Sequence, residues 1–324
     1  MKITIDMLKE KTEYDDFLKY FIKIRFNKEN EIFGVLQHVQ IYNNFLSWFM
    51  DRFPEGGQLS DIFNILFKEE HQLIDPLDCF IKLMYDFKDV ITNNNGNNKL
   101  QNLITDNNIF VNGNLNVIDE INVSKNIFVT GNIIAEKIIC KGTVFALGNI
   151  MCLDELNVSN NIISFGNIES IDIKCGGTLF SKKNIKSELD IDVNYDIMCN
   201  NIEADEGIRT IKGAILSTGF IRTTEGGIYS QCFIKANDFI EAEESIVTEQ
   251  NIISFGNIIA QNFIKSGGFI DSKGIIKSGN DYGIYAGLNH KISEKKEYGY
   301  IKAKEKPNNI ITGIFIESGV KRIK

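Results

Sequence analysis

The sequence repeats every six residues, a spacing that matches neither the 3.6-residue turn of a helix nor the two-residue alternation of a strand. The clearest run is NIIAQNFIKSGGFIDSKGIIKSGN, residues 257–280. Here Ile258, Ile264, Ile270 and Ile276 recur at six-residue steps, and Ala260, Ser266, Ser272 and Ser278 follow each by two. The frame x-[Ile/Leu/Val]-x-[small]-x-x can be followed through 30 units from Leu103 to Ile276, with one-residue departures at 138, 173, 202, 215 and 228. Strand residues two apart point the same way, so each unit is a short strand with one large and one small inward side chain. The remaining residues turn a corner. A chain that turns after every short strand winds into a solenoid, and its narrow interior leaves room at the second inward position only for Ala, Ser, Thr, Cys or Val.

A second period sets the number of sides. Asn114, Asn132, Asn149, Asn167, Asn184, Asn201 and Asn257 precede the aliphatic of every third unit, and Gly113, Gly131, Gly148, Gly166 and Gly256 precede five of these asparagines. Three units therefore close one coil, and the repeat predicts a three-sided parallel β-solenoid of about ten coils, on the order of 48 Å long at about 4.8 Å per coil. Glycine at a corner permits positive φ and asparagine tolerates it. Stacked asparagine amides are expected to hydrogen-bond in a ladder from coil to coil. The three prolines (Pro54, Pro76 and Pro307) all lie outside the repeat, as expected where strand N–H groups are bonded along both edges.

The flanks read differently. Residues 1–92 carry apolar residues at helical spacing, notably NEIFGVLQHVQIYNNFLSWFMDRF and DPLDCFIKLMYDFKDV, and predict a helical domain. Residues 93–101 form an asparagine-rich linker, 102–280 the solenoid, and 281–324 a short β cap over its far end. Shielding both ends matters because open strand edges pair with other chains.

GNIIAEKIICKGTVFALGNI and SFGNIIAQNFIKSGGFIDSKG resemble the bactofilins, a polymer-forming bacterial cytoskeletal family with a triangular, right-handed β-solenoid. They also resemble uncharacterised bacterial and prophage proteins built from I-x-A-G-G hexads. The likeness covers roughly 102–290. It implies a right-handed coil and a structural, non-catalytic role. Bactofilin rods are shorter and carry disordered tails, whereas this chain adds a predicted helical domain before its rod and a structured tail after it.

The residue after each inward aliphatic points outward. On one face these are Phe110, Phe128, Phe145, Ile163, Phe180, Met198 and Leu216. The other two faces carry mixtures such as Asn116, Glu169, Lys186, Glu203 and Arg222, or Asn122, Asn157, Lys174, Asp192 and Arg209. Seven consecutive large apolar side chains make an interaction face. The expected occupant is the protein's own helical domain or a second copy, giving a homo-oligomer; another protein partner or an apolar ligand is the alternative. Corner residues Phe220, Phe233, Phe239, Phe263 and Phe269 are expected to seat the C-terminal segment.

The sequence offers no catalytic, cofactor-binding or metal-binding constellation. Hexad-solenoid acyltransferases and γ-type carbonic anhydrases need histidine as base or ligand, and His38, His71 and His290 all lie outside the coils. Asp190, Asp192 and Asp196 read as a solvated edge. The glycine pairs at 176, 226 and 267 lack the aspartates of calcium-binding repeats, no phosphate-loop motif is present, and the outward row is Phe rather than the Thr of an ice-binding rod. The net charge of −8 argues against binding nucleic acid or anionic lipid. A partial carboxylate column (Glu120, Glu155, Asp172 and Asp190, interrupted by Lys137) suggests one alternative, a phage- or prophage-type inhibitor of a nucleic-acid or defence enzyme that imitates a nucleic-acid backbone, and an enzyme of unknown type is the other. The six cysteines have no CxxC spacing, and Cys140, Cys152, Cys175 and Cys199 fill the small inward slot. They read as reduced, buried thiols of a cytoplasmic protein. No continuous apolar h-region opens the chain, and no stretch approaches the roughly 20 apolar residues of a membrane span.

Overall fold

A computed structural model describes residues 90–93, 100–111, 113–129, 131–288 and 299–318. Nearly all of the expected helical domain and most of the linker lie outside them. Where the helical domain was expected to end, Val90–Asn93 is a strand.

The described chain forms three parallel sheets of 13, 10 and 12 strands, wound as a three-sided β-solenoid of about 11 turns over residues 103–317. Within the hexad repeat an interior strand pairs with those three units before and after it. Ile127–Val129, for example, lies between Asn108–Val111 and Val144–Ala146. The register places like on like: Ile240 opposite Ile258, and Ile258 opposite Ile276. The large inward residues fill the axis, with Ile240, Ile258 and Ile264 fully buried. Each contributes on the order of 1.5–3 kcal/mol by burial, set against about 1–2 kcal/mol per residue for ordering the backbone. A coil covers its axis only with the coils above and below, so the rod is stable as a stack.

The small slot has a second use beyond size. Its hydroxyls reach the corner of the coil beneath: Ser164 Oγ donates to Gly148 O at 2.7 Å, Ser181 Oγ to Gly166 O at 2.7 Å and Ser272 Oγ to Gly256 O at 2.8 Å. The same oxygens accept the N–H two residues on, as from Gly166 at 3.1 Å and Gly274 at 3.0 Å. Polar groups facing an apolar axis are thereby satisfied. Thiols do likewise, with Cys140 Sγ 3.0 Å from Lys125 O and Cys175 Sγ 3.1 Å from Asn160 O.

The corners correct two expectations. Among the described residues positive φ occurs only at Gly113, Gly287, Gly299 and Gly313, and at no non-glycine residue. Gly131, Gly148, Gly166 and Gly256 are thus not selected for a left-handed backbone. At Gly131, Gly148 and Gly166 a Cβ would overlap the carboxamide oxygen of Asn114, Asn132 or Asn149 in the coil beneath; glycine is there because nothing larger fits. Nor do the asparagines mainly bond amide to amide. Their oxygens accept the backbone N–H of the next coil: Asn132 N–H donates to Asn114 Oδ1, Asn149 N–H to Asn132 Oδ1 and Asn167 N–H to Asn149 Oδ1, each at 2.8 Å. Asn184 N–H reaches Asn167 Oδ1 at 3.3 Å, and amide-to-amide bonds enter this column at Asn184, whose Oδ1 accepts from the Asn201 amide at 3.0 Å and the Asn200 amide at 3.3 Å.

From the segment expected as a cap, Ile284–Tyr285 and Ile310–Thr312 extend the 12-stranded sheet, and Tyr300–Ala303 and Ile314–Glu317 the 13-stranded one. The 10-stranded sheet ends earlier, at Ile276–Lys277.

Candidate functional site

The predicted apolar row lies on the 13-stranded sheet in unbroken register. Phe110 is opposite Phe128, Phe128 opposite Phe145, Phe145 opposite Ile163, Ile163 opposite Phe180, Phe180 opposite Met198 and Met198 opposite Leu216. From Phe128 to Leu216 each is the middle residue of a three-residue strand, flanked by two axial residues, so this part of the row faces away from the axis. The rings of Phe128 and Phe145 stack at 4.9 Å with 4° between their planes. Phe165, which the hexad frame does not single out, joins them 5.6 Å from Phe145.

Facing outward does not expose this row. Phe128 is 5% exposed, Phe145 1%, Ile163 2%, Phe180 3% and Met198 8%, yet none belongs to the axial core cluster. They form a second buried apolar layer outside the sheet. The other sheets supply the control: Ile134 and Met151 hold the same mid-strand position on the 10-stranded sheet and are each 38% exposed. Stacked neighbours alone therefore leave such a side chain well exposed, and Ile163 at 2% is covered from above. The cover is local. Leu216 is half-buried, as are Lys235, Ile253 and Asp271 further along the same sheet. Along one flank the corner residues Thr143, Thr178, Asp196 and Ala214 are buried as well.

The acidic features are built differently. At the head of the 12-stranded sheet, Lys137 Nζ lies 2.9 Å and Lys174 Nζ 3.4 Å from the Glu155 carboxylate, and Lys174 also pairs with Asp172. The Lys137 hydrogen bond holds the Glu155 carboxyl below the usual carboxylate range, and Asp172 holds the Lys174 ammonium above the usual lysine value. Asp190 Oδ1 accepts Gly207 N–H at 3.0 Å, and Asn122 donates to Glu120 at 3.1 Å. Every carboxylate of the column has a partner, and Glu155 and Asp172 are paired with lysine, which a surface imitating bare phosphates would lack.

Asp190, Asp192 and Asp196 do not share one site. Asp192 takes a forked Arg209 guanidinium at 2.8 and 2.9 Å. Asp196, expected on a solvated edge, is 8% exposed, and its Oδ1 accepts Ala214 N–H at 2.8 Å. Of the corner phenylalanines, Phe269 stacks on Tyr300 of the C-terminal segment at 4.7 Å, whereas Phe220 stacks on Phe239 at 5.0 Å.

Burial pushes the Cys140 thiol up to about 12 and also raises Cys152 and Cys199, so these thiols keep their protons and are poor nucleophiles. Among the described residues no three His, Cys, Asp or Glu side chains form a metal-ligating group. A cleft near the far end of the rod, lined by Ile276, Lys277, Asn280, Glu305 and Asn309, brings no histidine or cysteine to its walls. His38, His71 and His290 lie outside the described residues. Comparison with known protein families, with characterised proteins and with solved structures finds no match for this chain. The layer over Phe145 and Ile163 is thus the feature with most to say about function. Among the described residues no helix is long and apolar enough to cross a membrane.

Proposed function

We propose that this protein is a non-catalytic scaffold: a stiff rod that holds another folded element against one side by protein–protein contact. The observation that supports this reading is the outward apolar layer of Phe128, Phe145, Ile163 and Phe180, withdrawn from solvent although it lies outside the axial core. An outer layer of this kind has one physical use, which is to bury against a complementary surface. In this reading the rod winds right-handed like a bactofilin, the segment before the Val90–Asn93 strand forms a helical domain, and the protein works in the cytoplasm, where its buried thiols stay reduced. The occupant of the layer is either that domain or a second copy. The lysine partners of Glu155 and Asp172 favour this reading over a nucleic-acid mimic.

The test is the double substitution Phe128→Ser/Phe145→Ser in the full chain, compared with Ile134→Ser/Met151→Ser on the exposed sheet. The first pair is expected to keep the β-rich circular dichroism while changing the mass or hydrodynamic radius measured by light scattering. The second pair is expected to change neither. An unchanged mass and radius in the first pair would sink the scaffold reading.

A further inference from the structure

We infer that the surface covering the apolar layer is the chain's own N-terminal segment, residues 1–89, packed along the first half of the 13-stranded sheet. This rests on the scaffold reading above and names the partner in it.

Three observations carry the assignment. The first is where the segment ends. Residue 89 runs directly into Val90–Asn93, which is the first strand of the 13-stranded sheet and pairs with Asn108–Val111. The segment is therefore tethered at the head of the sheet that bears the row, not at either of the other two. The second is the direction in which burial fades. It is nearly complete from Phe128 to Phe180, weaker at Met198 and partial at Leu216 and beyond, the profile of a cover anchored at the N-terminal end. The third is size and composition. The buried rungs, Phe128 to Met198, span four strand spacings, about 19 Å. That is the length of roughly 13 helical residues, and the sequence patterns at 30–53 and 75–90 are each at least that long. The first 89 residues also hold 11 of the chain's 23 phenylalanines, ample apolar surface to face the row. Apart from the single residues 112 and 130, the other segments outside the described residues, 94–99, 289–298 and 319–324, have at most ten residues each, and the last two follow from the far end of the rod.

The proposal is tested in the full-length protein by replacing Phe180 with the photo-reactive residue p-benzoylphenylalanine and irradiating an equal mixture of unlabelled and 15N-labelled chains. The expected product joins position 180 to a peptide from residues 1–89 carrying the same isotope label. The same probe at Met151 is expected to give no such product. Mixed-label products would identify a second copy as the occupant and overturn the proposal while leaving the scaffold reading intact. Products lying only outside residues 1–89, or no product at position 180, would also overturn it. Trp48, the chain's single tryptophan, gives an independent measurement should the probe disturb folding. Phe145→Ser/Phe180→Ser is expected to raise its acrylamide quenching at least twofold, and equal quenching in the two proteins counts against the cover. Failure of the scaffold reading looks different: mass and radius that ignore the Phe128→Ser/Phe145→Ser pair.

Discussion

Gly268→Ala is expected to destabilise the protein, although the usual argument from chain entropy gives the opposite sign. Its φ lies outside the left-handed region, so alanine fits the backbone there, and loss of unfolded-state freedom alone would stabilise by about 0.4–1 kcal/mol. The obstacle is in the coil beneath. A Cβ at 268 overlaps the Asn251 carboxamide oxygen, while the next backbone atom, Gln250 O, is 3.1 Å away. That oxygen cannot simply swing aside, because it accepts Phe269 N–H at 3.0 Å. Forcing an extra carbon into such a contact costs about 1–3 kcal/mol. Asn251→Ala alone loses one half-buried hydrogen bond, about 0.5–1.5 kcal/mol, and also removes the obstacle. With Asn251 already alanine, adding Gly268→Ala should then cost less than about 0.5 kcal/mol or even stabilise, a coupling of roughly 1–3 kcal/mol between residues 17 apart in sequence. Urea unfolding of the four proteins, followed by far-ultraviolet circular dichroism, measures the cycle. A stabilising Gly268→Ala, or single effects that add to within about 0.5 kcal/mol, would refute the account of the corners given above.

Two further predictions concern pH. The Cys140 thiol stays protonated in the folded rod up to about pH 12 but ionises near pH 8.5 once unfolded, so above about pH 8.5 it should lower stability by about 1.4 kcal/mol per pH unit; Cys140→Ala should flatten the alkaline limb of the melting curve, and identical limbs would contradict the burial argument. Glu155 has the opposite sign: the Lys137 hydrogen bond depresses its folded pKa, so its contribution is present above the ordinary carboxylate range and is lost as pH falls through the depressed value. Lys137→Met should move the Glu155 titration upward in carbon-13 NMR, and an unmoved titration would remove Lys137 as the cause.

How much of this could be read from the sequence depended on whether the cause was local. Ile258 and Ile276 announce their shared column, because the identity of each is set by one slot in one strand, and the period of Asn114, Asn132 and Asn149 gives the three sides. The reason for Gly166 was hidden. Its constraint is a side-chain oxygen 17 residues earlier, which becomes a neighbour only after the coils are superposed. A second corner escaped for a related reason. Asn126 Oδ1 accepts Thr143 N–H at 2.8 Å and Asn161 Oδ1 accepts Thr178 N–H at 2.9 Å, but threonines interrupt that column, so no single-residue period marks it. Aligning the sequence coil by coil, with Asn and Asp treated alike, would have revealed it. The apolar row was legible as a row, yet its burial was not. Exposure at Ile163 and at Ile134 is decided by what lies over each sheet, and the hexad is the same at both.

Coil length varies along the rod: 17 residues separate Ile133 from Ile150, 18 separate Ile150 from Ile168, and 19 separate Ile202 from Ile221. A perfectly regular hexad would let a folding chain slip by one whole unit and rebuild nearly the same contacts one side further round. Odd-length coils make that slip mismatch wherever a short turn meets a long one, so they serve as notches on a thread. Evening them out to 18 would give a chain that still forms strands but loses its single thread position, and misthreaded rods would accumulate during refolding.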